Sequence, residues 1–348
     1  MNLRTHLLAG QVIPAHPLAL TPGRRLSERH QRALTRYYMA AGAGGIAVGV
    51  HSTQFEIRDP THDLLRPVLE LAAETARSEL ASAPRDFALI AGICGRNPQA
   101  AAEAELARSL GYDAGLVSMG AWRNDPESAI LDHVAGIAEI LPVIGFYLQP
   151  AVGGRVFSYG FWRRFAEIAG VVAIKIAPFN RYQTIDVVRA TVAAGRDDVA
   201  LYTGNDDAIV TDLLTPFEFP QDGRRVTRRI VGGLLGHWGV WTAAAVRLLR
   251  ELRSSIAQAH VNPEWLARGV AVTDMNAAVF DAANGFRGCI PGILEVLRRQ
   301  RLVPSALCLN PHETLSPGQS DELDRVATTY PDLIDDPFVA ENRDRWLR

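Results

Sequence analysis

The stretch Val171-Val172-Ala173-Ile174-Lys175-Ile176-Ala177 holds the only lysine in a chain of 348 residues that carries 36 Lys and Arg side chains in all. Where arginine serves every other such position, the one lysine points to chemistry that a guanidinium cannot perform. Schiff-base formation is of that kind: arginine stays protonated and delocalised, whereas a desolvated lysine amine loses its proton and attacks a carbonyl. The flanking residues are apolar and largely β-branched, so the stretch reads as a buried strand of a parallel sheet. A lysine there is costly unless it titrates down or meets a partner. The plain alternative is a strand-end lysine with its ammonium in solvent, and the surrounding architecture decides between the two.

On both sides of this strand the pattern repeats. Strands centred near Leu89, Leu116, Ile144, Ala173 and Leu201 alternate with helical segments near 98–110, 126–140, 158–169 and 181–194, at a spacing of about 28 residues, which is a βα unit with short connections. Towards the N-terminus, Gln11 to Leu20 reads as a first strand and its exit. A helix over Ser27–Ala41 follows, with Ser27 as N-cap and Gly42 as stop, then a short buried strand over Gly45–Val50 and a helix over Asp63–Ala81. Beyond Leu201 the pattern predicts a helix over 206–214, an irregular stretch from Thr215 to Val226, an eighth strand over Arg229–Leu235 and an eighth helix over Trp241–Ser254.

Eight strand–helix repeats predict a (β/α)8 TIM barrel. A doubly wound dinucleotide-binding sheet is disfavoured, because no Gly-x-Gly-x-x-Gly follows the first strand and Gly42, Gly44 and Gly45 precede a strand instead of opening a helix. Helices near 263–283, 288–300 and 320–330, with a proline-interrupted tail, add a C-terminal helical extension. The expected division is a catalytic barrel over 1–258 and an extension over 259–348 that packs on the barrel and builds a subunit contact.

Hydrophobic content of 48% and charged content of 21% fit a soluble globular enzyme. A formal charge of −2 and a pI near 6.5 give no reason to expect nucleic acid or an anionic membrane as partner. The run Arg224-Arg225-Val226-Thr227-Arg228-Arg229 reads as a solvated loop or subunit contact. Cys94, Cys289 and Cys308 are too few and too scattered for a disulfide framework or a zinc motif. With no apolar leader and no run of 18 apolar residues, a cytoplasmic protein without metal or cofactor is expected.

In a barrel the active site forms at the C-terminal ends of the strands. Lys175 lies towards the end of the sixth strand and Tyr147 at the end of the fifth, so the two side chains are expected to meet over the mouth. The segment Gly49 to Glu56 leaves the second strand at the same rim, Thr203-Gly204-Asn205-Asp206-Asp207 leaves the seventh, and His237-Trp238 follows the eighth. A rim-anchoring tyrosine and a buried structural histidine are the plain alternatives for Tyr147 and His237.

Over about residues 10–300 these segments resemble the dihydrodipicolinate synthase and N-acetylneuraminate lyase superfamily of class I, Schiff-base aldolases. Tyr147-Leu148-Gln149-Pro150 looks like the family's Tyr-x-x-Pro motif and Val172-Ala173-Ile174-Lys175 like its Gly-(Ile/Leu)-Lys motif. Thr203 to Asp207 is similar to the turn after its seventh strand, and Gly95-Arg96-Asn97-Pro98 with the Ala-rich helix after it is similar to the third strand's exit. The resemblance implies that Lys175 attacks the keto carbon of pyruvate or a related 2-keto acid, passing through a carbinolamine to an iminium that serves as electron sink. It implies that Tyr147 relays protons, that Ser52 and Thr53 bind the carboxylate, and that Gly204 and Asn205 line the substrate site.

The departures from the family shape the expectation. Gln54 stands where the family has glycine, and His51 is extra. Val152 replaces the arginine of true dihydrodipicolinate synthases, with Arg155 three residues on. Ser118-Met119-Gly120-Ala121-Trp122 lacks the family's Pro-Tyr-Tyr. His237-Trp238 replaces small aliphatic residues, which predicts a reshaped pocket with His237 as an added acid, base or carboxylate partner.

The expected protein is therefore a dimeric or tetrameric lyase acting on a 2-keto acid, with an aldehyde or sugar acid as partner, and not a true dihydrodipicolinate synthase. A dehydratase of the same superfamily and a non-catalytic keto-acid or sugar-acid binding protein are the alternatives. A metal-dependent hydrolase or class II aldolase is disfavoured by the lack of His-x-His on the first strand or any ligand-spaced cluster. A serine hydrolase is disfavoured by the lack of Gly-x-Ser-x-Gly.

Overall fold

The computed structural model describes residues 1–258 and 261–348. Short apolar runs become strands and longer amphipathic segments become helices. The elements are α1 (Leu3–Leu8), β1 (Val12–Pro14), α2 (Glu28–Ala40), β2 (Gly45–Val48), α3 (Leu65–Ser82), β3 (Ala88–Ile93), α4 (Gln99–Ser109), β4 (Ala114–Val117), α5 (Glu127–Ala138), β5 (Val143–Leu148), α6 (Tyr159–Glu167) and β6 (Val171–Ala177). They continue with α7 (Arg181–Ala193), β7 (Ala200–Thr203), α8 (Ile209–Leu214), β8 (Phe217–Gln221), β9 (Arg224–Arg228), β10 (Gly232–Leu235), α9 (Thr242–Ile256), α10 (Glu264–Phe280), α11 (Cys289–Arg299), α12 (Gln319–Thr329) and α13 (Asp336–Trp346).

Among the described residues one sheet runs in the order β1-β10-β7-β6-β5-β4-β3-β2. Each of these eight strands is followed by a helix, so the fold is the expected (β/α)8 barrel with additional C-terminal helices.

Three segments differ from the sequence reading. The stretch expected to be irregular is an antiparallel hairpin pairing Phe217 with Arg228 through to Gln221 with Arg224. Its two-residue turn is Asp222-Gly223, both at positive φ (50° and 74°), the twist that suits a tight hairpin. The arginine run is thus a strand: Arg228 pairs with Asp197 at 2.8 Å and donates to the Val199 carbonyl at 2.7 Å. The short α1 and the α13 helix in the proline-interrupted tail were not foreseen. Ser27 does precede α2, but its hydroxyl meets His30 Nδ1 at 2.8 Å and makes no side-chain cap bond to the backbone.

By contacts the chain divides into two units, residues 1–11 with 88–234 and residues 12–87 with 235–348. The boundary expected between 258 and 259 falls at the two residues outside the description.

In the first unit the central pair of strands carries an irregularity. Val143 on β5 pairs with Val171 on β6, but Ile144 pairs with Ala173, so Val172 is an extra residue and the ladder slips by one. This is a β-bulge, and each such slip exchanges the two faces of the strand. The Val171 carbonyl at the bulge accepts from Arg4 Nη1 at 3.0 Å and Arg196 Nη2 at 3.2 Å. Arg196 also donates to the carbonyls of Ala166 (2.6 Å) and Ile168 (3.2 Å) and, through Nε, to Asp198 (2.7 Å). Asp198 binds Arg4 as well, at 2.6 Å. Two guanidinium forks and one carboxylate therefore hold the entry to β6.

In the second unit a buried carboxylate fastens the tail. Asp335 accepts from the Tyr37 hydroxyl (2.7 Å), the Ala243 backbone N–H (2.9 Å) and Gln300 Nε2 (3.0 Å). Burial pushes its carboxyl above the usual range, while these three donors favour the ionised form.

Arg196 is the residue most exposed to test. Arg196→Met leaves three backbone carbonyls and Asp198 short of donors, so equilibrium denaturation is expected to show a loss of about 3 kcal/mol. A loss below about 0.5 kcal/mol would mean that the bulge is held by other contacts.

Candidate active site

Lys175 is only 8% exposed. Beyond the bulge it pairs with Phe146 on β5 and with Tyr202 on β7. Residues in register on neighbouring parallel strands share a face, and the Lys175 ammonium lies 4.3 Å from the centroid of the Phe146 ring, well within cation–π range. Gly204 completes the seat: a Cβ there would stand 2.6 Å from Lys175 Cε and 2.7 Å from Ala177 Cβ. Tyr202 is engaged elsewhere, its hydroxyl donating to the Leu7 carbonyl at 2.8 Å.

The same row continues across two more strands. Gly92 pairs with Leu116 and Leu116 with Ile144, so one step of alternation further places Cys94 and Ser118 in line with Phe146 and Lys175. The Ser118 backbone N–H still donates to Ile93 at 2.8 Å, which keeps the register through that step. The sequence reading missed Phe146, Ser118 and Cys94 as members of this row. The signal was available in the alternation of each strand, though not in any motif.

Tyr147 lies on the other face, which corrects the expectation that it meets Lys175. It pairs with Ile176, and its ring centroid lies 4.9 Å from that of Trp162 and 5.8 Å from that of Phe157. Gly145, on the same face, is packed so closely by α6 that a Cβ would stand 2.6 Å from the Phe165 ring. The phenol accepts a long 3.4 Å bond from the Phe157 N–H, and burial raises its pKa above the ordinary value. Tyr147 belongs to the packing between strand and helix.

Asn205 is likewise a support. Its Oδ1 accepts from the Phe179 N–H at 2.9 Å, and its Nδ2 donates to Thr184 Oγ1 at 3.1 Å and Asp212 Oδ2 at 2.9 Å. Asp212 also accepts from Thr203 Oγ1 at 2.8 Å and pairs with Arg181; burial raises its carboxyl, opposed by these donors. The network stiffens the turn that presents Gly204. Arg155 does come back over its loop, since the Gly154 N–H donates to Gln149 O at 3.0 Å. Its guanidinium, however, donates to the carbonyls of Asp125 (2.7 Å) and Trp122 (3.3 Å) and lies 5.1 Å over the Phe157 ring.

The second unit holds the remaining expected residues. Thr53 is fully buried, and its hydroxyl accepts from the N–H groups of Gly49 (2.9 Å) and Val50 (3.2 Å) while donating to His16 O at 2.7 Å. That hydroxyl locks the loop, which corrects its assignment to a carboxylate. Ser52 Oγ lies 3.6 Å from where a Cβ on Gly236 would be. Gln54 takes φ +69°, a conformation that glycine adopts cheaply, and its Oε1 accepts from the Leu309 N–H at 2.6 Å. The Leu309 backbone thus holds a side chain at a position whose backbone path suits glycine.

His237 is buried among Trp241, Leu248, Val272 and Met275, and desolvation lowers its pKa to about 4. It is thus held as a neutral imidazole at neutral pH.

Among the described residues no helix is long and apolar enough to cross a membrane, and no three His, Cys, Asp or Glu side chains are grouped to hold a metal ion.

Fold and site together make a (β/α)8 barrel with one buried lysine on its sixth strand. The proteins to which the chain is similar are members of the dihydrodipicolinate synthase and N-acetylneuraminate lyase superfamily. A 4-hydroxy-tetrahydrodipicolinate synthase from Clostridium novyi is 28% identical over 139 residues, which is 39% of this chain and 46% of that protein, so the match spans about half the length of the curated relative. Among solved structures, a dihydrodipicolinate synthase from Thermotoga maritima has a TM-score of 0.74 at 18% identity, covering 93% of this chain and 99% of that one. An N-acetylneuraminate lyase from Fusobacterium nucleatum complexed with pyruvate gives 0.69 at 17%, covering 93% and 97%. At these identities the structural likeness establishes the fold. No family model matches the chain.

Two outcomes follow for the site. Gly204→Ala drives a methyl group into the Lys175 stem and is expected to fold while lowering the rate of amine labelling at Lys175 at least about tenfold; Tyr147→Phe is expected to leave that rate within about twofold, at a stability cost of about 1 kcal/mol. A large loss of labelling in Tyr147→Phe would put the phenol back beside the amine.

His16 and His237, both held near 4 against an ordinary 6.5 by burial, give a second. The unfolded chain binds protons between these values that the folded chain does not, so stability is full above about pH 6.5 and falls towards pH 4, by on the order of 3 kcal/mol for each histidine. Thermal melts from pH 7 to 4.5 should show this decline. His237→Gln should flatten it, and an unchanged slope in that variant would contradict the assignment.

Proposed function

We propose that this chain is a Schiff-base-forming lyase acting on pyruvate or a related 2-keto acid, with Lys175 as the amine. The observation that carries the reading is a primary amine held on the sixth strand of a (β/α)8 barrel, buried by its neighbours and given room by Gly204. Support comes from the relatives, which are synthases and lyases by name, one of them complexed with pyruvate.

The chemistry proceeds from the neutral amine. Its lone pair forms the N–C bond to the keto carbon as the C=O π pair moves to oxygen. A proton passes from nitrogen to that oxygen to give the carbinolamine, a second proton taken from solvent turns the hydroxyl into a leaving water, and its loss gives the iminium. The cationic nitrogen then accepts the electron pair released when a proton or a C–C bond is lost at the adjacent carbon, giving an enamine. The first step needs the neutral form of this amine. We read the second substrate as other than that of lysine biosynthesis, because Val152 offers no charge and Arg155 is engaged with backbone carbonyls. A homodimer or tetramer in the cytoplasm belongs to the same proposal, in keeping with three free cysteines.

The test is borohydride reduction in the presence of a panel of 2-keto acids, read by intact mass and peptide mapping. The expected result is one adduct, on Lys175, for at least one keto acid, and none in Lys175→Arg. Turnover of a keto acid by Lys175→Arg at the wild-type rate would remove the proposal.

A further inference from the structure

We infer that the Phe146 ring is the electrostatic seat for positive charge on the Lys175 nitrogen, first as ammonium and then as iminium, and so a catalytic residue of the reaction proposed above. The inference rests on that reading for the iminium alone; the ammonium part stands on the geometry by itself.

Three observations carry it. The bulge at Val172 sets Phe146, and not Tyr147, in register with Lys175. The amine nitrogen lies over the ring at 4.3 Å from its centroid. Phe146 is itself 5% exposed, so water does not screen the contact. A benzene ring presents a negative quadrupolar face to a cation, and the attraction grows when both partners are desolvated.

The chemical consequence follows from the sign of the charge at each step. The attacking amine and the carbinolamine are neutral at nitrogen, whereas the iminium is cationic. A face that attracts cations lowers the energy of the iminium relative to both neutral states, and so favours loss of water from the carbinolamine. The same face favours the resting ammonium and slows the first attack. Phe146 therefore trades amine reactivity for iminium stability. A ring without a hydroxyl donates no proton, so proton transfer at this position passes to water or to the protic side chains further along the row, of which Ser118 is the nearer.

The experiment uses the full-length chain with Phe146→Leu and with pentafluorophenylalanine installed at position 146, which keeps the ring's shape and reverses its quadrupole. Because the chain has a single lysine, labelling at Lys175 is resolved from the N-terminal amine by peptide mapping. At fixed neutral pH the labelling rate is expected to rise about 2- to 30-fold in both variants, as the ammonium loses its partner. For a keto acid that the wild type captures, measured at a pH high enough that the labelling rate no longer rises with pH and the resting amine is neutral, the concentration giving half-maximal borohydride-trapped adduct should rise by a factor in the same range, while Phe146→Tyr, which keeps the face, stays within about twofold of wild type.

Unchanged labelling in the pentafluoro variant, shown folded by its melting curve, would overturn the inference. If wild type traps no keto acid but the labelling rates shift as described, the proposed function fails and the seat for the ammonium stands. If wild type traps a keto acid and labelling and half-saturation are both indifferent to the ring, the function stands and the inference fails.

Discussion

One extra residue on β6 decides which side chain of β5 faces Lys175. If the ladder that begins at Val143 and Val171 ran on without a slip, Val172 pairing with Ile144, Lys175 would stand opposite Tyr147. The slip puts Phe146 there instead. In a pleated sheet a one-residue slip is an all-or-none change, because every side chain beyond it moves to the other face. Its energetic support lies away from the site, in the guanidinium groups of Arg4 and Arg196 and the carboxylate of Asp198 that bind the carbonyls around the bulge. The identity of the ring beside the amine is thus decided by polar contacts at the opposite end of the strand.

This slip also marks the limit of what the sequence discloses. The alternation of βα units is carried by periodicity and turn residues, which are local, and so the eight-stranded barrel was legible together with nearly all of its helices. Lys175 stood out in the sequence for a compositional reason and Gly204 for its place after the seventh strand, and the structure sets the two side by side. Tyr147 was misread because the Tyr-x-x-Pro spacing counts residues along one strand, whereas facing depends on pairing with the next. Thr53 and Asn205 show a related limit. Their side chains sit at the expected strand exits, but their hydrogen-bonding capacity is taken up by neighbouring backbone and side chains. A motif names the residue at a position, and only the hydrogen-bond census says whether its polar atoms remain for a ligand. The hairpin of β8 and β9 escaped because an arginine-rich, partly exposed strand has none of the apolar signal on which strand assignment relies.

In the second unit the helical tail takes a part in loop structure that composition did not suggest. Gln54 holds a backbone conformation unfavourable for a side-chain-bearing residue, a strain of order 1 kcal/mol or more. Its amide oxygen accepts a short bond from the Leu309 N–H, which offsets that strain. The loop keeps a glycine-like path at Gln54 because a distant segment holds the side chain that would otherwise oppose it.

The contrast between a phenol and a phenyl ring bears on the kind of reaction the site favours. A phenol beside an imine-forming lysine serves proton transfer, and its benefit appears in steps where a proton moves between nitrogen and oxygen. A phenyl ring serves charge, and its benefit appears in the intermediate that carries a full positive charge on nitrogen. For a reaction limited by formation of the carbinolamine the first arrangement is the better one. For a reaction limited by the lifetime of the iminium, such as slow C–C bond cleavage or loss of a leaving group next to it, the second gives more, since each 1.4 kcal/mol of preferential stabilisation raises the iminium population tenfold.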